Sequence, residues 1–240
     1  MRPITGQFKV IAVFTLILSL ATTVANGATL PQRHLFYSQY YLLQLVTDFE
    51  LYRNGQGQND VFEQLTEHLK QFRVHFDPLT AGTSELTETD RQALAQQWKE
   101  LARILSALMV TVRQGGFIDQ EIGYQYREQT SLFWRHLHGV ALARRNLTDQ
   151  EHLVLLLQSA NLRYMEPLWR LAPHEETSLV DMAAKIDSCV SALPNPPEEF
   201  EQKWPLLHRA LQQDNRSMSF LVNRYSSGLV SPLLDNLQNQ

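Results

Sequence analysis

Three arginines stand where a guanidinium could meet an anion between helices. Arg53 and Arg170 close equivalent helical segments, and Arg163 precedes Tyr164 in a long apolar segment. A guanidinium is a planar fork of donors that matches a planar oxyanion. Arg163, Arg53, Arg170 and the Tyr164 hydroxyl are therefore the candidate ligand-binding residues. Tyr40, Tyr41, Tyr124 and Tyr126 offer further hydroxyl donors. The competing reading is structural. A helix-end arginine complements the dipole of its own helix, and Asp48 or Glu50 on a facing helix would make Arg163 an ion-pair partner.

Other reactive side chains carry less. His136 and His138 form a His-x-His, but residues two apart on a helix point to different faces. The other six histidines, among them His34, His68 and His75, are scattered singly. Cys189 falls on the apolar seam of its helix and reads as a core residue rather than a nucleophile. No Gly-x-Ser-x-Gly, phosphate-cradling loop or dinucleotide fingerprint occurs. The Asn54–Asn59 run, with Gly55 and Gly57, reads as a turn between helices. Glu-x-x-His, the pair that builds metal centres in long bundles, is also missing. The expectation is a non-enzymatic protein with no catalytic residue, no metal and no cofactor.

The 240 residues are 44% hydrophobic and 19% charged, with a single cysteine. That bounds a folded chain with a sizeable core and no internal disulfide. A net charge of −4 excludes the basic footprint of a nucleic-acid binder. Residues 1–27 have the anatomy of a signal peptide: Arg2 and Lys9, an apolar run from Val10 to Ala21, then Ala25-Asn26-Gly27. The apolar stretch is shorter than the roughly 20 residues that span a bilayer, which favours cleavage over a retained anchor. The mature chain, 28–240, is expected to be exported, periplasmic or secreted, and free of the membrane. Loss of Arg2 and Lys9 would take its net charge to −6.

Helical periodicity governs what remains. Leu94, Trp98, Leu101, Leu105, Leu108 and Val112 form an apolar seam over 92–113, opened by Thr89 and closed by Gly115-Gly116. Phe200, Trp204, Leu207, Leu211, Met218, Leu221 and Tyr225 form another over 198–226, with Asp214 its one polar position. Further helices are predicted at 33–53, 60–76, 118–144, 149–170 and 176–193. Thr148 to Glu151 resembles a capping sequence, and Pro167 should kink or end its helix. No strand is expected.

The pattern repeats. An offset of 117 carries Phe62, Leu65, Leu69, Phe72 and Phe76 onto Leu179, Met182, Ile186, Cys189 and Leu193. An offset of 106 carries Leu94, Trp98, Leu101, Arg103 and Leu105 onto Phe200, Trp204, Leu207, Arg209 and Leu211. The expected architecture is all-α: an elongated antiparallel bundle of about seven helices. Two similar three-helix units, about 33–115 and 149–228, are joined by a long central helix at 118–144.

The run Leu43-Gln44, Leu51-Tyr52, Gly55 and Gly57, then Phe62-x-x-Leu65 resembles the bacterial nitrate- and nitrite-sensing helical domain. The resemblance implies a helical sensor fold and a small oxyanion ligand. It places Tyr126 to Leu137 on an aromatic central helix and Arg163 on the later arginine. The charged pair of the family's first helix is replaced here by Val46 and Thr47. The expected function is a ligand-sensing or protein-interaction accessory of the bacterial cell envelope, with an unknown protein partner there. The alternatives are a structural partner in envelope or appendage assembly, and a secreted enzyme whose site is assembled from dispersed residues.

Overall fold

The computed structural model describes residues 30–82, 86–144, 147–166, 178–213 and 216–239. The segment expected to be a signal peptide (residues 1–27), Arg170 and Asp214 lie outside these. Among the described residues there are eight α-helices and no strand. They are α1 (Leu30–Asn54), α2 (Asn59–Thr80), α3 (Glu88–Arg113), α4 (Gln120–Arg144), α5 (Asp149–Met165), α6 (Leu179–Ala192), α7 (Glu199–Gln213) and α8 (Ser219–Gln238). The all-α expectation holds, and the helix count does not. The segment expected as one helix over 198–226 is broken after Gln213, and a single 3-10 turn at Arg216–Met218 precedes α8. The polar run from Gln212 to Ser217 interrupts the apolar seam there, and its Asn, Asp and Ser residues favour turns.

Local signals explain the boundaries. Thr87, rather than Thr89, caps α3 by accepting from the Asp90 amide. Thr148 with Glu151 and Ser178 with Asp181 form reciprocal capping boxes on α5 and α6. Gly115, at a φ of 69°, lets the chain leave α3 in the left-handed region. Glu166 turns extended and ends α5 just before Pro167, as a residue preceding proline prefers.

Helix α4 is not a bridge between two units. It packs on α3 and α1, α2 packs on α1 and α3, and a four-helix set closes. In the second half α5, α6, α7 and α8 close in the same cyclic order. The two sets meet where α1 packs on α5. These two helices run parallel. Arg53 bonds Glu166 at one end, and at the other Tyr37 feels the charge of Glu151.

That position makes α1 unusual. Every residue from Leu42 to Tyr52 is buried, because α2 and α4 cover one side and α5 another. A helix covered all round has no polar face to show. The first set is packed by Phe72, Phe76, Trp98 and Phe133, whose rings lie within 6.1 Å of one another in stacked, edge and tilted arrangements. The second is zipped between α5 and α8 by Gln150 to the Leu233 carbonyl (2.6 Å) and Asn161 to Asn223 (2.8 Å). No helix among the described residues is long and apolar enough to cross a membrane.

Candidate functional site

Polar side chains are concentrated inside, on the helices that join the two halves. On α1, Ser38, Gln39, Gln44, Thr47, Asp48 and Glu50 are buried; on α5, Glu151, Gln158 and Asn161 are. Several of their atoms have no partner among the described residues: Ser38 Oγ, Gln44 Oε1, Thr47 Oγ1, Asp48 Oδ1, Asn161 Oδ1 and both amide atoms of Gln158. Each such atom costs about 1–3 kcal/mol if nothing meets it. Helical rise is uniform, so the Arg53–Glu166 bond, with α1 and α5 running side by side, sets the approximate levels of the residues before it. Gln44 stands level with Gln158, and Thr47 with Asn161. Of the orphaned residues, Asn161 is turned towards Asn223 on α8 and Asp48 towards His68 on α2; Gln44, Thr47 and Gln158 remain, at neighbouring levels of the two packed helices.

An ionic cluster closes one end of that seam. Arg53 Nη2 lies 2.5 Å from Glu50 Oε2 and 3.1 Å from Glu166 Oε2. Burial opposes the charge of Arg53, but Glu50 and Glu166 outweigh it and hold its proton more tightly than usual. Tyr126 on α4 is fully buried beside them. Burial, and then Glu50, push its hydroxyl well above the ordinary range. Of the residues expected to hold an anion, Arg53 is therefore engaged by two carboxylates. Arg163 is half-buried on the last turn of α5, and the neighbouring Tyr164 is buried completely. Arg170 lies outside the described residues.

A second group lines the partly exposed face between α1 and α2. The Asp48 carboxylate meets His68 Nδ1 in a short contact. Burial raises the Asp48 carboxyl, and His68 opposes the rise. Further along, His34 and His75 meet, and Tyr37 and Tyr41 stack on the His75 ring. Sequence reading missed both pairings. The available signal was the Gly55–Gly57 turn: counting similar distances back along both helices brings Asp48 towards His68 and His34 towards His75.

Elsewhere histidines serve packing. His136 bonds Gln97 (3.0 Å), while His138 bonds Gln39 (2.7 Å) and stacks on Trp134, so the two rings diverge. Trp204 donates to Asp187 (2.7 Å), which His208 also approaches. Trp204 is buried at 8% exposure, and Trp98, its counterpart in the expected repeat, is half-buried. An open cleft of about 480 Å³ between α7 and α8 is lined by Lys203, Leu221, Arg224, Tyr225 and Gly228. Its Lys203 ammonium bonds the Gly228 carbonyl at 3.1 Å. Neither a family model, nor a curated protein, nor a solved structure matches the chain.

Proposed function

We propose that the protein is an exported, non-enzymatic helical module that binds a small polar ligand in the α1–α5 seam and acts through a partner in the bacterial cell envelope. The observation that carries this reading is the set of buried, unpartnered atoms on Gln44 and Thr47 of α1 and Gln158 of α5, two helices that pack on one another. A core built only for stability would replace them with apolar side chains, since buried polar groups are ordinarily satisfied. A ligand with both donors and acceptors would satisfy them. Because the seam joins the two four-helix sets, occupancy would alter how the sets are held together.

Small oxyanions are the first ligands to test, with Arg163 and Tyr164 on the last turn of α5 as the candidate contacts. Nitrate and nitrite head the series on the resemblance noted above, followed by sulfate and chloride. A ligand at 100 times its dissociation constant should add about 2.7 kcal/mol of stability. Thermal unfolding of residues 28–240 with each anion, and with neutral amino acids, reads this out. Gln158→Leu should abolish the ligand-induced shift while raising the ligand-free midpoint. A higher midpoint with binding unchanged would remove the seam from consideration.

A second reading has one observation of its own. Phe117 in the α3–α4 turn is 92% exposed, and Val110, Ile122 and Tyr124 are exposed near it. Such a patch suits a protein contact, so an assembly partner in the envelope remains the alternative. Phe117→Ser should abolish partner capture and leave ligand-induced shifts intact.

A further inference from the structure

The geometry points to a metal site between α1 and α2: His34 and His75 form a two-imidazole clamp for a late first-row divalent cation such as Zn²⁺ or Cu²⁺. Their Nδ1 atoms face one another at 3.2 Å, with the rings tilted at 55° rather than stacked. Two nitrogens bound to a tetrahedral zinc at about 2.0–2.1 Å stand roughly 3.3 Å apart. The two nitrogens are therefore already separated as one metal would hold them. Neither ring has another hydrogen-bond partner among the described residues.

The surroundings hold the clamp in place. Tyr37 and Tyr41 stack on the His75 ring at centroid distances of 4.8 and 5.6 Å, with interplanar angles of 26° and 13°. These contacts fix the orientation of the ring and with it the direction of its lone pair. Burial, and then the neighbouring His34, push the His75 ionisation down to about 4, and burial lowers His34 as well. Both imidazoles are neutral at neutral pH, the form in which histidine binds metal. Both are also half-exposed, so an ion can reach them from solvent. Among the described residues no group of three or more His, Cys, Asp or Glu side chains could hold a metal. Water completes the coordination, leaving positions open to an added ligand. Imidazole suits zinc, copper and nickel, and copper binds such sites most tightly.

The test uses untagged residues 28–240, stripped with chelator, titrated with ZnCl₂ and separately with CuCl₂ by calorimetry. One equivalent of each metal should bind, and His34→Ala and His75→Ala should each weaken it at least tenfold. His208→Ala, distant on α7, should change nothing. Circular dichroism checks that the variants fold, and His75→Gln replaces His75→Ala if that one does not. Electron paramagnetic resonance of the wild-type copper complex needs no variant and should show coupling to two imidazole nitrogens. Absence of saturable binding, binding by the His34 or His75 variant as tight as that of wild type, or coupling to fewer than two nitrogens would overturn the assignment.

Discussion

Arg53 and Glu166 are joined by a 3.1 Å hydrogen bond across 113 residues of chain. The same guanidinium reaches Glu50, three residues back on its own helix, whose side chain is almost fully enclosed. One cation thereby fixes the end of α1 against the end of α5 and balances a carboxylate that cannot reach water. Losing one partner of a buried pair leaves the other poorly compensated. Arg53→Met is expected to destabilise the protein by about 3 kcal/mol. The double variant Arg53→Met/Glu50→Gln should recover much of that loss. Urea unfolding of both checks it, and an equally unstable double variant would show that the charge of Glu50 is not the cause.

The aromatic cluster of the first helix set should be sensitive to truncation. Phe72 is completely buried against Phe76, Trp98 and Phe133. Phe72→Ala is expected to cost about 3–5 kcal/mol, the range for a large core side chain. Trp204→Phe, which removes the indole donor to a half-exposed Asp187 and part of the ring while keeping a phenyl in place, should cost less, about 1–2 kcal/mol. Chemical denaturation of the two variants side by side would refute this ordering if Trp204→Phe proved the more damaging.

Asp48 makes a pH-dependent contribution whose sign is fixed by burial. Its carboxyl is raised above the ordinary value, although His68 opposes the shift. In the unfolded chain it loses its proton near pH 3.9. Its contribution to stability is therefore whole below that value and is lost as pH rises through the folded-state ionisation. Asp48→Asn should match wild type most closely near pH 3 and become increasingly favourable relative to it above pH 4. Denaturation midpoints at pH 3, 5 and 7 measure the trend. A constant difference across that range would rule it out.

The two capping boxes offer a local check on the helix boundaries. Thr148 and Ser178 each accept from a third-residue amide, and the acid at that position returns the bond. Replacing either by Ala should cost about 1 kcal/mol. The unfolding midpoints of Thr148→Ala and Ser178→Ala test this, and two neutral substitutions would mean that the caps contribute little.

The legible parts of the fold were those written as local periodicity. Leu94, Leu101, Leu105 and Leu108 recur at helical spacing because α3 buries one stripe and exposes the other. The capping box at Thr148 and the stop before Pro167 were equally local. The break before α8 was harder, since Met218, Leu221 and Tyr225 continue the seam spacing across it. On α1 the rule fails for a physical reason. A helix buried on all sides has no polar stripe, so Gln44, Thr47 and Asp48 read as interruptions of an apolar run rather than as the lining of a seam. The partner of Arg53 was out of reach because Glu166 lies on a helix whose placement depends on every intervening turn.

The enclosure of α1 also sets the order in which the molecule can be completed. Of the described helices, the first to emerge during synthesis is the one whose packing requires a helix more than a hundred residues later. Until Asp149–Met165 has been made, the apolar side chains that α1 turns towards α5 have nothing to cover them. Contacts of such long sequence separation form slowly compared with those inside a helical hairpin. A chain ending before α5 would therefore carry a sticky, half-dressed first bundle, the kind of intermediate that aggregates or must be chaperoned. Helix α1, early in the chain, is thus among the last to find its full set of neighbours.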